Sequence, residues 1–280
     1  MLKIITITSA CLALMLTACS KEQTTQPTQS DANTTEHSQT LRIAAAANLS
    51  DVLPDIIAGY KKGKSLPAQE IEVTYASSGK LYAQIISGAP YDIFLSANQE
   101  FPAKLAKEKP DNLKSADKTT YQPFTYTQGQ LALYSTTKSL KELNPTTLNE
   151  LLMNGSDSKI TIANPELAPY GKSAQAYLQA QDIFDTLTEQ NRIIQAENIG
   201  QAFQYAHTGN VDYGFVAQSQ LTAMKATPEQ FYTLAPDSYP AILQDGIVLS
   251  DATAATDFSN YLRAPSGQQY FSKAGYLAVD

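Results

Sequence analysis

Ala76-Ser77-Ser78-Gly79-Lys80-Leu81 sets small and hydroxyl-bearing residues just ahead of a helical apolar pattern, and three other stretches repeat the arrangement. They are Ala46-Ala47-Asn48-Leu49-Ser50, Pro169-Tyr170-Gly171-Lys172 and Glu197-Asn198-Ile199-Gly200. A helix start offers backbone N–H groups with no partner inside the helix, at the positive end of its dipole. It therefore attracts anions without any fixed charge. One Ser ahead of a helix is ordinarily a cap. Four such starts in alternating strand and helix units point to a cage for a small oxyanion, built on an α/β fold.

The units around these starts can be read from periodicity. Leu41-Arg42-Ile43-Ala44-Ala45-Ala46 is a short apolar strand, and Leu53, Ile56, Ile57 and Tyr60 keep helical spacing after it, with Pro54 in the tolerated first turn. Ile71 to Tyr75 alternates as a strand, Leu81 to Ile86 continues as a helix, and Asp92-Ile93-Phe94-Leu95 reads as a strand buried on both faces. This order predicts a mostly parallel sheet with helices on both sides. After the strand Gln130 to Ser135 the alternation restarts. Lys159 to Ala163 is a strand, Lys172 to Gln181 and Asn198 to His207 are helices, and Asp212 to Val216 is a buried strand. Pro240 to Leu243 and Gly246 to Leu249 read as two shorter strands, followed by two helices, the second opening near Pro265. Two α/β lobes joined by two chain passages place a cleft at their junction.

The N-terminus carries a different message. Met1-Leu2-Lys3 precedes an apolar run from Ile4 to Leu16, too short to span a bilayer comfortably, and Leu16-Thr17-Ala18-Cys19 resembles the lipobox of bacterial lipoprotein signals. That resemblance implies a signal peptide over 1–18 and a lipid on Cys19. Ser20 to Thr40 is polar and rich in Gln, Thr and Ser, so 19–40 is expected to be a flexible tether. Cys11 falls within the signal, which leaves the mature chain one cysteine, no internal disulfide and no cysteine metal site. His37 lies in the tether, and His207 is the one remaining histidine. The 280 residues are 43% hydrophobic with a formal net charge of −7 and no basic stripe, which argues against nucleic acid as a partner.

The ordered set of motifs from Leu41 onward resembles the molybdate-binding proteins of ABC importers. It comprises Ile43 to Leu49, Ala76 to Leu81, Gly88-Ala89-Pro90-Tyr91-Asp92 through Asn98, Ala168 to Ala174, Glu197 to Ala202, and Gly209 to Ala217. The resemblance implies a type II, two-lobed periplasmic binding protein. Lobe I would be discontinuous, 41–125 plus 240–280, and lobe II would cover 126–239. It also implies that molybdate, and tungstate with it, is held by neutral donors and passed to a permease, with the chain a monomer in the cell envelope.

Residue by residue, the resemblance carries the ligand role to Asn48, Ser78, Tyr170 and Ile199. Each would contact molybdate oxygens, none the metal itself, and no cofactor is implied. Asn48 is a donor through its backbone and side chain, or a cap for the next helix. Ser78 supplies a hydroxyl, with Ser77 as the alternative cap. Tyr170 supplies the phenol that some relatives place at the position of Ala217, and Gly171 lets the backbone approach closely. Ile199 supplies a backbone N–H beside the capping Asn198. Asp92 and Asp212 read as structural, because carboxylates repel an oxyanion, and Lys80 and Lys172 read as solvated.

Other classes have less support. The chain has no Gly-x-Ser-x-Gly, His-Glu-x-x-His or Gly-x-x-x-x-Gly-Lys-Ser/Thr motif. An enzyme would need a carboxylate pair that nothing singles out, so no catalytic residues are assigned. A binding protein of this fold for sulfate or phosphate is the competing expectation.

Overall fold

The computed structural model describes residues 40–108, 121–155 and 157–279. The signal segment 1–18, Cys19 and the tether up to residue 39 lie outside the described residues.

The chain opens with β1 (Leu41–Ala46), a 3-10 turn (Ala47–Leu49), α1 (Leu53–Gly63), β2 (Ile71–Ala76), α2 (Ser78–Ile86), β3 (Ile93–Leu95) and α3 (Glu100–Glu108). β4 (Phe124–Gly129) completes this half, and β5 (Leu131–Tyr134) begins the next. There follow α4 (Pro145–Asn154), β6 (Ile160–Ala163), α5 (Pro169–Ala180), α6 (Phe184–Glu189) and β7 (Ile193–Ala196). α7 (Ile199–His207), β8 (Tyr213–Ala217), α8 (Gln218–Met224) and β9 (Phe231–Thr233) finish that half. The chain then returns through β10 (Ile242–Val248) and ends in α9 (Thr253–Arg263) and α10 (Pro265–Lys273).

Two five-stranded sheets result, with orders β2-β1-β3-β10-β4 and β7-β6-β8-β5-β9. In each, the first three strands pair in parallel. The other two pairings are antiparallel, β10 with β3 and β4, and β5 with β8 and β9. The sheets are therefore mixed rather than mostly parallel. The cause is the exchange of strands: each sheet receives one strand that enters from the other half, and it enters against the direction of the βαβ strands. The passage from one sheet to the other falls at Gln130, between β4 and β5. The return passage lies beside it, where the Leu131 N–H donates to the Tyr239 hydroxyl at 3.0 Å.

Alternation within the strands sends side chains to two cores per sheet. In the first sheet Leu41, Ile43 and Leu95 pack with Leu53, Ile56, Phe258 and Phe271 of α1, α9 and α10. Ala44, Phe94 and Ile247 face the opposite way, onto Leu81, Ile85 and Leu105 of α2 and α3. The second sheet repeats the plan, with Leu133, Ile160 and Phe215 against α4, α5 and α6, and Tyr134 and Val216 against α7 and α8. Such burial contributes about 1.5–3 kcal/mol for each large apolar side chain.

β10 is a single strand, not the two short ones read from the sequence. Gln244 and Asp245 interrupt its apolar run yet are both buried, and the pairing register with β4 shifts between them. A bulge of this kind redirects side chains where a regular strand would alternate.

Candidate functional site

The parallel strands of both sheets end facing one another. Their C-terminal ends, with the helix starts that follow, line a small cavity. Ala46, Ala47 and Asn48 come from the end of β1, Ala76, Ser77 and Ser78 from β2 and α2, and Ala97 from just after β3. Across from them stand Ala168, Pro169 and Tyr170 at the start of α5, and Asn198 and Ile199 at the start of α7. Open α/β sheets bind ligands at this end of the strands. The five alanines leave room and bring backbone close to whatever fills the space. None of these lining residues carries a charge.

All four residues singled out in the sequence are brought together here. Ser78 is fully buried at the first position of α2, and its Oγ accepts the Ala97 N–H at 2.9 Å. A hydroxyl that accepts from the protein keeps its single proton for another acceptor. Ser77 occupies the cap position of α2 without accepting a helix N–H, and its buried hydroxyl has no partner. Ile199 opens α7, so its N–H has no intrahelical acceptor. Asn198 caps that helix, its Oδ1 accepting the Gln201 N–H at 3.0 Å.

Of the roles expected of Asn48, the cap and the side-chain donor are not available to a ligand. It lies in the 3-10 turn and does not cap α1, whose cap position is Val52. Its Nδ2 donates to Gln244 Oε1 and to the Tyr276 hydroxyl, both at 3.0 Å, which commits both amide protons to the protein. Its Oδ1 is buried without a partner. The donor it has left for a ligand is its backbone N–H.

Tyr170 is almost wholly buried, and its hydroxyl accepts from Gln244 Nε2 at 3.3 Å. Burial pushes the phenol well above its ordinary pKa, so it stays protonated and able to donate. Gly171 is required by a close approach, although the approach is to the protein. A β-carbon there would lie 2.0 Å from the Ala163 carbonyl oxygen at the end of β6. Ala217 ends β8 and is not among the lining residues.

The nearby charges organise the protein around the cavity. Asp92 accepts the Arg42 N–H at 2.8 Å, and Asp212 accepts the Lys159 N–H at 2.9 Å, each tying the start of a strand in its own sheet. Lys80 and Lys172 do not simply face solvent. Lys80 pairs with Glu197 at 2.5 Å and Lys172 with Glu100 at 3.3 Å, each joining a helix of one half to a residue of the other. Between them the Gly79 N–H donates to the Leu167 carbonyl at 2.8 Å. The two halves are thus drawn together over the cavity. Among the described residues no three His, Cys, Asp or Glu side chains cluster to hold a metal ion.

The residues that the sequence reading missed sit behind the cavity. Gln244, Tyr126 and Tyr276 form an uncharged network with Asn48 and Tyr170. A glutamine interrupting an apolar strand was the available signal, and it was read as a break.

Residues 41–277 match the family described as bacterial extracellular solute-binding protein. The chain is 31% identical over 265 residues to the molybdate-binding protein ModA of Rhodobacter capsulatus, covering 87% of this chain and 99% of that protein. It is 26% identical over 267 residues to YvgL of Bacillus subtilis, a putative ABC transporter substrate-binding lipoprotein, covering 95% and 94%. Among solved structures, the Azotobacter vinelandii periplasmic molybdate-binding protein superposes with a TM-score of 0.74 at 29% identity, covering 86% of this chain and all of that one.

Proposed function

The chain belongs to the bacterial extracellular solute-binding protein family, and from that premise we propose that it captures molybdate, and tungstate with it, for delivery to an ABC permease. The observation that carries this reading is a small cavity lined only by uncharged groups, among them two buried hydroxyls that each accept an N–H from the protein. Ser78 and Tyr170 then donate their protons to oxyanion oxygens, and the backbone N–H groups of Asn48 and Ile199 complete the cage. Hydrogen bonds to a charged partner contribute about 1.5–3 kcal/mol each, so a few neutral donors suffice for a dianion.

The protein works by closing and opening. The anion bridges groups from both halves, and release follows when the halves separate at the permease. No reaction is catalysed in this reading, and the protein acts as a monomer. In this reading a lipid on Cys19 anchors the protein to a membrane surface; the lipobox-like sequence ahead of it and a relative described as a putative lipoprotein support the anchor.

Titration calorimetry with molybdate, tungstate, sulfate and phosphate tests the assignment. Molybdate and tungstate should bind tightly and sulfate far more weakly. At 100 times its Kd, molybdate should add about 2.7 kcal/mol to folding stability. Binding of sulfate or phosphate with no response to molybdate would overturn it.

A further inference from the structure

The single proton of Tyr170 helps an anion only if it points into the cavity, and the polar groups behind the ring determine where it points. The order of donation can be followed from a group with no choice. The Asn48 carbonyl can only accept, and it receives the Tyr276 hydroxyl proton at 2.8 Å. The Tyr276 oxygen then accepts from the Asn48 amide, which sets Nδ2 on that side at 3.0 Å, with Ser219 also beside that hydroxyl. The second proton of that Nδ2 goes to Gln244 Oε1 at 3.0 Å. Tyr126 has one hydroxyl proton for two acceptors, the Ser96 carbonyl at 2.9 Å and Gln244 Oε1 at 3.1 Å, so it does not by itself fix the orientation of Gln244. With its oxygen turned to Asn48 Nδ2, Gln244 offers Nε2 to Tyr170, at 3.3 Å.

Resting on the molybdate reading, we propose that Gln244 is a positioning residue of the anion site. It makes the Tyr170 oxygen an acceptor on the protein side, so that the phenol proton is presented to the anion, and Tyr276 sets this polarity through Asn48. The shift in register between β10 and β4 leaves Tyr126 as the extra residue on β4, with its hydroxyl beside Gln244. Gly129 clears the space, because a β-carbon there would lie 2.1 Å from the Tyr170 hydroxyl oxygen and 2.8 Å from Gln244 Nε2. If Gln244 were reversed, Tyr170 would spend its proton on Oε1 and turn a lone pair toward the anion. The arrangement favours fully deprotonated oxyanions, whose oxygens all accept.

The test is a thermodynamic cycle with sodium molybdate on the intact folded chain, read by calorimetry, with unfolding of the anion-free proteins measured alongside. Tyr170→Phe should weaken binding roughly ten- to a hundredfold. Gln244→Met should weaken it about tenfold in the native background and less than about twofold in the Tyr170→Phe background, since the proton it positions is then gone. Tyr276→Phe, which changes volume little and lies behind the cavity wall, should show the same non-additivity if Gln244→Met does not fold. Additive losses, or native affinity in both Gln244→Met and Tyr276→Phe, would overturn the proposal while leaving the molybdate reading intact. A native chain that fails to bind molybdate would overturn that reading, and the proposal with it.

Discussion

At the scale of the residue, the site depends on hydroxyls whose acceptor side is already occupied. Ser78 accepts from Ala97 N–H and is buried, so its proton has no competing acceptor in the protein. Ser78→Ala should delete one charge-assisted hydrogen bond and weaken molybdate binding roughly ten- to a hundredfold, measurable by calorimetry. The phenols behind the cavity make a second prediction. Burial raises Tyr170, Tyr126 and Tyr276 above the ordinary tyrosine value. A group raised in the folded state contributes stability that is complete below its unfolded pKa, near 10, and is lost as pH climbs past it. Thermal unfolding should therefore be insensitive to these groups from pH 7 to 9 and fall steeply above about pH 10. A midpoint that rises above pH 10 would contradict the burial of these rings. The sequence revealed the hydroxyls at the mouths of helices but not the network behind them, because Gln244 lies 74 residues from Tyr170, and Gln244 and Tyr276 lie 196 and 228 residues from Asn48, so that they meet only through the fold.

At the scale of the element, helix starts are held against strand ends by residues too small to be replaced. Gly171 lets α5 ride on the end of β6, where a β-carbon would meet the Ala163 carbonyl and not a side chain that could swing aside. Gly171→Ala should cost about 1–3 kcal/mol in urea unfolding, as overpacking does, and should weaken binding by moving Tyr170. Strands and helices with clean periodicity, such as β1, β2 and α1, were legible from their residues. β7, only partly buried along Ile193–Gln195, and the short edge strand β9 carried no such pattern. The polar pair in β10 concealed its continuity because the partners that let both residues be buried, Asn48 for Gln244 and Thr125 for Asp245, are distant in sequence.

At the scale of the whole molecule, two similar halves exchange strands and face one another across a small uncharged cavity. Two ion pairs and one backbone hydrogen bond join the halves across the cavity. The ion pairs are exposed, so their contribution is expected to be small and sensitive to salt. Replacing Lys80 and Lys172 together with Gln should weaken molybdate binding only a few fold, less than Ser78→Ala, and raising ionic strength should narrow the difference from the native chain. Lys104 and Lys172 hold Glu100 below its usual carboxylate value by hydrogen bonding, so this pairing persists at neutral pH and is lost as pH falls through that depressed value. The central claim is that uncharged donors from both halves hold the anion. It is tested most directly by a crystal structure with molybdate in which anomalous scattering locates the molybdenum. The ion should lie between the starts of α2, α5 and α7, its oxygens within hydrogen-bonding distance of Ser78 Oγ, the Tyr170 hydroxyl and the N–H groups of Asn48 and Ile199. Molybdenum found instead beside Lys80 or Lys172, with that cavity empty of it, would contradict the claim.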